Sequence, residues 1–593
     1  MEEDSSYLDG STASDLASPE RVPPPPSSNF KGRLPPPIRT TSSPVDLSSP
    51  TSSVQQNVRA LQALPNLVVL RDLVTQNLES FAYTSAIYYA NILITATDSA
   101  PEDVYLLAKS YFAHREFHRA LELLRQNDLV ETKRRRSLPP SLAQKILLLA
   151  GQAYLETEKF EACVCLFMGK DPIGAELSHV FEERTQHVFE GYAENGKTKS
   201  AMALMLGKAY EALDNRARAV ECYKLALQSD VYCAEAYTTM ISHHLLTSVE
   251  ETKLLEETSF SADDEWLCLM YQSKLLHHHQ QQDVEQLFGA VETRCGMATN
   301  VDVAVAKANC YLQQHDPANS LKITHSVRMR DPFHMDGIVV HITALVEVGK
   351  KSDLFQIAHQ LVDAYPTKAV SWFAVGCYYY VVKKYDVARR YFNKATTLEP
   401  QFAPAWLGYG NAYAAVDESD QAMAAYRTAA RLFPGSHVPL LCSGTEFLRT
   451  NNLKLSEQLL VQSSRMCPSD PLVYNELGVV VYKQNRFSEA VRCFEQAIAK
   501  SKSPSAAYCA NLGHAYRKLG DLDKAVQCYT RAMAIEPRSA DVHSAIGLAY
   551  HLKGNLIRAI EYYHQALGFR STDTFTSALL DKALTQASFG DVA

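Results

Sequence analysis

The sequence predicts an all-α protein, a superhelical solenoid of stacked helical hairpins that carries a disordered N-terminal tail. Three observations predict it. Apolar residues recur at helical spacing from about residue 54 almost to the end, and no stretch alternates for long enough to make a strand. A set of small, aromatic and proline positions repeats every 34 residues over much of that length. Residues 1 to about 52, by contrast, are rich in Ser, Pro and Thr, with proline runs at 23–26 and 35–37, and hold too few apolar side chains to offset the entropy of ordering.

In the tail, Ser18, Ser43 and Ser49 each precede a proline and are candidate sites for a proline-directed kinase, where a phosphate would act through charge alone. From 54 to 247 the repeats are loose. Ala108, Tyr111, Ala120 and Leu124 mark one, Gly151, Tyr154, Cys163 and Phe167 another, and Gly207, Tyr210, Ala219, Tyr223 and Ala226 a third. Inserts at 127–141 and 169–197 interrupt them. The first insert places Lys133, Arg134, Arg135 and Arg136 before Ser137; a solvated loop is the plain reading, and a nuclear-import signal or a basophilic-kinase site at Ser137 the functional one. Residues 248–300 lose the frame and read as an irregular helical connector.

The regular array runs from about 301 to 570. Trp372, Gly376, Tyr379, Ala388, Phe392, Ala395 and Pro400 recur 34 residues on as Trp406, Gly410, Tyr413, Ala422, Tyr426, Ala429 and Pro434. The frame continues through Gly444, Leu460 and Pro468, then Gly478, Ala490 and Phe494. One extra residue between Lys500 and Pro504 shifts it before Gly513, Tyr516, Ala525, Tyr529 and Pro537, and Gly547, Tyr550, Ala559 and Tyr563 follow. This is the tetratricopeptide pattern: small residues let two helices approach, large ones fill the gaps between hairpins, and prolines end each pair. Residues 571–593 read as a capping helix and a short tail.

Composition excludes several function classes. A formal net charge of -8 supplies no basic stripe for nucleic acid or anionic lipid. No apolar run reaches the length of a membrane span, and the N-terminus lacks the layout of a signal peptide, so an intracellular location is expected. The 13 cysteines stand singly and read as small buried hydrophobes in a reducing compartment. His277, His278 and His279 point in different directions on a helix and make a poor chelate. No metal, cofactor or catalytic residue is expected, because no phosphate-binding glycine loop, nucleophile elbow or HExxH motif occurs and no segment outside the repeats is large enough for a catalytic domain.

Stacked hairpins curve so that the first helix of each lines a concave wall. Counting in register, the wall should present Phe373, Tyr380, Leu407, Asn411, Leu441, Asn475, Tyr482, His514, Arg517, Ser544 and His551. Amides there can bind the main chain of an extended peptide and aromatics its apolar side chains.

Beyond the repeat class, the chain resembles one family, the tetratricopeptide subunit six (cell-division-cycle sixteen type) of the anaphase-promoting complex. Ser85 to Ala90, Asp103 to Ala108, Tyr111 to Ala120, Ala212 to Arg216, Asp230 to Cys233, Asp331 to His334, the block 511–520, the block 545–551 and the tail 572–584 carry the likeness. The resemblance implies a scaffold subunit without catalytic activity in a cell-cycle ubiquitin ligase, present in nucleus and cytoplasm. It implies a homodimer through about residues 55–125, a very small partner subunit whose N-terminus lies in the C-terminal groove, and further subunits on the outer face. The alternative is a co-chaperone adaptor that grips chaperone C-terminal peptides through a clamp including Arg517.

Overall fold

The computed structural model describes residues 66–130, 138–168, 196–275, 281–501 and 505–590. The tail with Ser18, Ser43 and Ser49, the basic run with Ser137, most of the 169–197 insert and His277 to His279 lie outside the described residues.

The described residues hold helices and no strand. The looser half contains α1 (Leu67–Glu79), α2 (Tyr83–Ala96), α3 (Pro101–Ala113), α4 (Phe117–Gln126), α5 (Pro140–Glu156), α6 (Phe160–Met168), α7 (Gly196–Ala212), α8 (Arg216–Ser229) and α9 (Ala234–Ser242). Next come α10 (Ser248–Glu257), a 3-10 turn at Ala262–Asp264, α11 (Glu265–Lys274) and α12 (Gln281–Thr293). The hairpins that follow pair α13 (Val301–Gln313) with α14 (Pro317–Arg330), α15 (Met335–Val348) with α16 (Lys351–Ala364), and α17 (Ala369–Val381) with α18 (Tyr385–Leu398). They continue with α19 (Ala403–Ala414) and α20 (Ser419–Leu432), α21 (Val438–Arg449) and α22 (Leu453–Met466), and α23 (Pro471–Lys483) and α24 (Phe487–Lys500). The last pairs are α25 (Ala506–Leu519) with α26 (Leu522–Ile535) and α27 (Ala540–Leu552) with α28 (Leu556–Phe569), before a single α29 (Thr574–Gly590).

Local chemistry sets the ends of these helices. Pro317 and Pro471 open α14 and α23 at positions where a missing N–H costs nothing. Thr247 and Glu250 cap α10 reciprocally, with Thr247 N–H donating to Glu250 Oε2 at 2.9 Å. Between the two helices of each regular hairpin the chain reverses through one residue of positive φ: His315, Gly349, Lys383, Asp417, Asn451, Asn485, Gly520 and Gly554. These positions step by 34, except for a single step of 35 from Asn485 to Gly520.

In five of the regular hairpins a ring from the second helix lies against a glycine of the first, Phe392 on Gly376, Tyr426 on Gly410, Phe494 on Gly478, Tyr529 on Gly513 and Tyr563 on Gly547, while in α21 and α22 Leu460 takes the ring's place on Gly444. A Cβ on Gly376 would stand 2.6 Å from Phe392 Cε1, so the approach exists only because no side chain is there. Phe392, Phe494 and Tyr529 are consequently 1 % exposed or less. Between hairpins the first helices pack on one another, α13 on α15, α15 on α17 and so on to α27 on α29, whereas the second helices make no comparable pairs. The first helices therefore occupy the tighter, concave side of the curve, and that places the wall.

Cys165 is exposed, against the expectation of buried thiols; Cys163, Cys222 and Cys377 are buried as expected. No helix among the described residues is long and apolar enough to cross a membrane.

Candidate functional site

The wall expected from the register divides into residues that other groups already cover and residues that stay accessible. Phe373 is 4 % exposed, its ring 5.9 Å from Phe392 and edge-on to Phe402 at 5.3 Å, so it is core and not lining. Leu441 is 5 % exposed, in a cluster with Leu448, Leu460, Val473 and Val480. Ser544 shares a hydrogen bond of 2.8 Å with Thr576 of α29 and is closed off by that helix. Asn475 is buried too: its Nδ2 donates to Glu476 Oε1 at 3.0 Å and its Oδ1 accepts from Asn511 Nδ2 at 2.9 Å. These four corrections share one physical cause. The next repeat in the stack, or the capping helix, lies over positions that a count along one helix leaves open.

Three of the polar positions have a structural duty. Where the ring on the glycine is a tyrosine, its hydroxyl needs a partner in an apolar interior. Tyr426 donates to Asn411 Oδ1 at 2.6 Å, Tyr529 pairs with His514 Nδ1 at 2.8 Å, and Tyr563 meets His551 Nδ1 at 3.4 Å. In the looser half Tyr223 donates to Glu211 Oε2 at 2.7 Å in the same way. Where the ring is Phe392 or Phe494, the residue matching Asn411 is Cys377 or Val479, and nothing polar is required.

The remaining wall is mixed. Tyr380, Leu407, Asn411, Tyr482, His514, Arg517 and His551 are half-buried. Tyr380 and Tyr482 are held edge-on by Tyr385 and Phe487, at 5.5 and 5.3 Å. Burial, with the charge of Arg517 beside it, pushes His514 down to about 4, so this imidazole is neutral at physiological pH. Arg517 Nε is buried and has no acceptor among the described residues. His551 is tied by its Nε2 to Gln586 Oε1 of α29 at 2.7 Å. Counting in register missed Glu476 and Asn511, which border the predicted positions; burial raises the Glu476 carboxyl above its usual range. Their sequence signal is the position next to Asn475 and the same place one repeat later. Aromatic faces, amides and one under-satisfied guanidinium on a concave surface suit an extended peptide, and they form no acid–base pair or chelate. No group of three potential metal ligands occurs among the described residues.

Comparison with known proteins agrees with the repeat geometry. Family models match as the C-terminal domain of cilia and flagella-associated protein 70 over 356–574, subunit 3 of the anaphase-promoting complex, cyclosome, over 79–167, and a tetratricopeptide repeat over 200–230. Anaphase-promoting complex subunit 6 of Arabidopsis thaliana is 38 % identical over 538 residues, 87 % of this chain and 95 % of the relative. Cell division cycle protein 16 homolog of Homo sapiens is 36 % identical, with 87 % and 84 % covered. The anaphase-promoting complex subunit cut9 of Schizosaccharomyces pombe is 32 % identical, with 82 % and 72 % covered. A crystal structure of the Cut9-Hcn1 hetero-tetramer of that complex superimposes with a TM-score of 0.69 at 31 % identity, covering 90 % of this chain and 99 % of the other. With hairpins, frame and relatives in agreement over most of the length, the chain belongs to the family of anaphase-promoting complex subunit 6, the cell division cycle protein 16 and Cut9 type.

Proposed function

We propose that the chain is a non-catalytic scaffold subunit of the anaphase-promoting complex, a cell-cycle ubiquitin ligase, holding partner subunits along its concave wall and on its outer face. The observation that carries this reading is the likeness, at 31 % identity over 90 % of the chain, to a Cut9-Hcn1 hetero-tetramer. A small subunit of the Hcn1 kind occupies the C-terminal groove, its N-terminal segment laid against Tyr380, Leu407, Asn411, Tyr482 and Arg517. The absence of catalysis is supported by the chemistry of the wall, where polar side chains pair with one another or with tyrosine hydroxyls instead of converging on a reacting atom.

The chain forms a homodimer through its first helices. Support comes from apolar side chains left at the surface of α1 and α2: Val68 is 63 % exposed, Val69 50 %, and Tyr88 63 %. Phe81, between the two helices, is 76 % exposed and reverses the chain at positive φ. Apolar groups gathered on two short helices mark an interface in a soluble chain. The protein works in nucleus and cytoplasm, as a subunit of such a ligase must.

Affinity purification of the tagged full chain tests the reading. Recovery of cullin-like and RING subunits is expected, and recovery of chaperones without them contradicts it. Light scattering after size exclusion tests the dimer, which a monomer at micromolar concentration rules out.

A further inference from the structure

Segments far apart in sequence meet at the edges of the solenoid. Arg216, at the start of α8, donates to the main-chain oxygen of Arg431, and Arg431 Nη1 returns a bond to Asp214 Oδ2 at 2.8 Å. Gly435 N–H donates to the His244 carbonyl at 2.8 Å, and a Cβ on Gly435 would overlap the Leu246 carbonyl oxygen. Ser248 Oγ donates to Met466 O at 3.3 Å. Asp470 lies between two imidazoles, His315 Nε2 at 3.3 Å from one carboxylate oxygen and His437 Nε2 at 2.9 Å from the other.

The partners on one side follow a rule. Asp214, His244 and His315 are hairpin-reversal residues of positive φ, while Arg431, Gly435, His437 and Asp470 sit at or beside the links between hairpins. Reversals and links lie on opposite edges of a stack of hairpins, so one edge of an earlier turn rests on the other edge of a later one. These joints are hydrogen bonds and ion pairs to turns, whereas neighbouring hairpins are joined by apolar packing. Exposed hydrogen bonds with few buried apolar contacts are the features of segments that open locally ahead of the core.

We propose that these contacts form a clasp that fixes the pitch of the superhelix and opens as a unit, so that the spacing between successive turns has two states. Gly435 is the residue that permits closure: nothing larger fits against the 244–246 backbone. The clasp belongs to the chain alone and does not depend on what the groove holds.

Amide hydrogen exchange on the full-length protein tests it. In Arg431→Asp, which sets a carboxylate against Asp214, exchange at the Gly435 amide should rise about tenfold or more, with the interiors of α20 and α21 unchanged. The swap of Asp214→Arg with Arg431→Asp should restore protection. Gly435→Ala, compared at equal oligomeric state, should lengthen the maximum dimension in small-angle scattering with helicity retained. Unchanged exchange at Gly435 in Arg431→Asp, loss of protection in α20 and α21 along with it, or an unchanged dimension in Gly435→Ala would each overturn the clasp.

Discussion

The hydroxyl of Tyr426 donates to Asn411 Oδ1 at 2.6 Å, joining the second helix of a hairpin to the concave face of its first. Burial raises the Tyr426 hydroxyl far above its ordinary range, so it is a permanent donor. Asn411 is therefore both a wall residue and the partner that lets a tyrosine occupy a core position. Tyr426→Phe should cost about 1 to 2 kcal/mol by stranding the amide oxygen. Combining it with Asn411→Val should cost less than the two single changes added, which a double-mutant cycle in denaturant melts will read.

Gly376→Ala should destabilise the hairpin of α17 and α18 by roughly 1 to 3 kcal/mol, the usual penalty for overpacking. The new methyl would stand 2.6 Å from a Phe392 ring that is 1 % exposed and has nowhere to move. Phe392→Leu in the same chain should recover part of the loss. Thermal melts of the three variants decide it.

His341 should make the fold acid-sensitive. Its Nδ1 lies 2.8 Å from Thr324 Oγ1, which itself donates to the Ser320 carbonyl, so the imidazole donates there; Arg328 Nη1 lies 3.4 Å from its Nε2. Burial first and Arg328 second hold this imidazole down at about 4, below its ordinary value of 6.5. The unfolded chain takes up the proton first, so stability is full above about pH 6.5 and falls as pH drops towards 4. The loss at the acid end is up to roughly 3 kcal/mol at about 1.4 kcal/mol per pH unit. His341→Gln should flatten that slope in melts run from pH 7 to 4.

Much of the fold was legible because the repeat is redundant. Gly376 under Phe392 and Gly410 under Tyr426 state one packing rule twice, and the extra residue between Lys500 and Pro504 reappears as the 35-residue step between Asn485 and Gly520. The wall was less legible. A count along one helix says which way a side chain leaves it but not what the next repeat lays over it, so Phe402 covers Phe373, Asn511 reaches Asn475, and Thr576 closes Ser544. The contacts of Arg431 with Asp214 and Arg216 join points more than 200 residues apart, and no local pattern announces them.

Asp103 is fully buried and receives two bonds from Arg71, Nε to Oδ1 at 2.7 Å and Nη2 to Oδ2 at 2.9 Å, which anchor α1 on α3. Asp103→Ala should cost about 2 to 3 kcal/mol, below the full value for a buried pair because the arginine regains water. Since α1 carries Val68 and Val69, the same change should raise the dissociation constant of the proposed dimer, read by light scattering across a dilution series.

We propose that the C-terminal concave wall holds a partner's peptide. The most direct test is a fluorescence-anisotropy titration of the full chain with an N-terminal peptide of the small, Hcn1-like subunit, run beside Tyr482→Ala and Arg517→Ala. Saturable binding that weakens about tenfold or more in each variant, at unchanged helicity, is the predicted result, because removing one buried anchor of a bound peptide costs about 1.4 kcal/mol or more. Binding of equal strength in all three proteins, or none in the native chain, would contradict it.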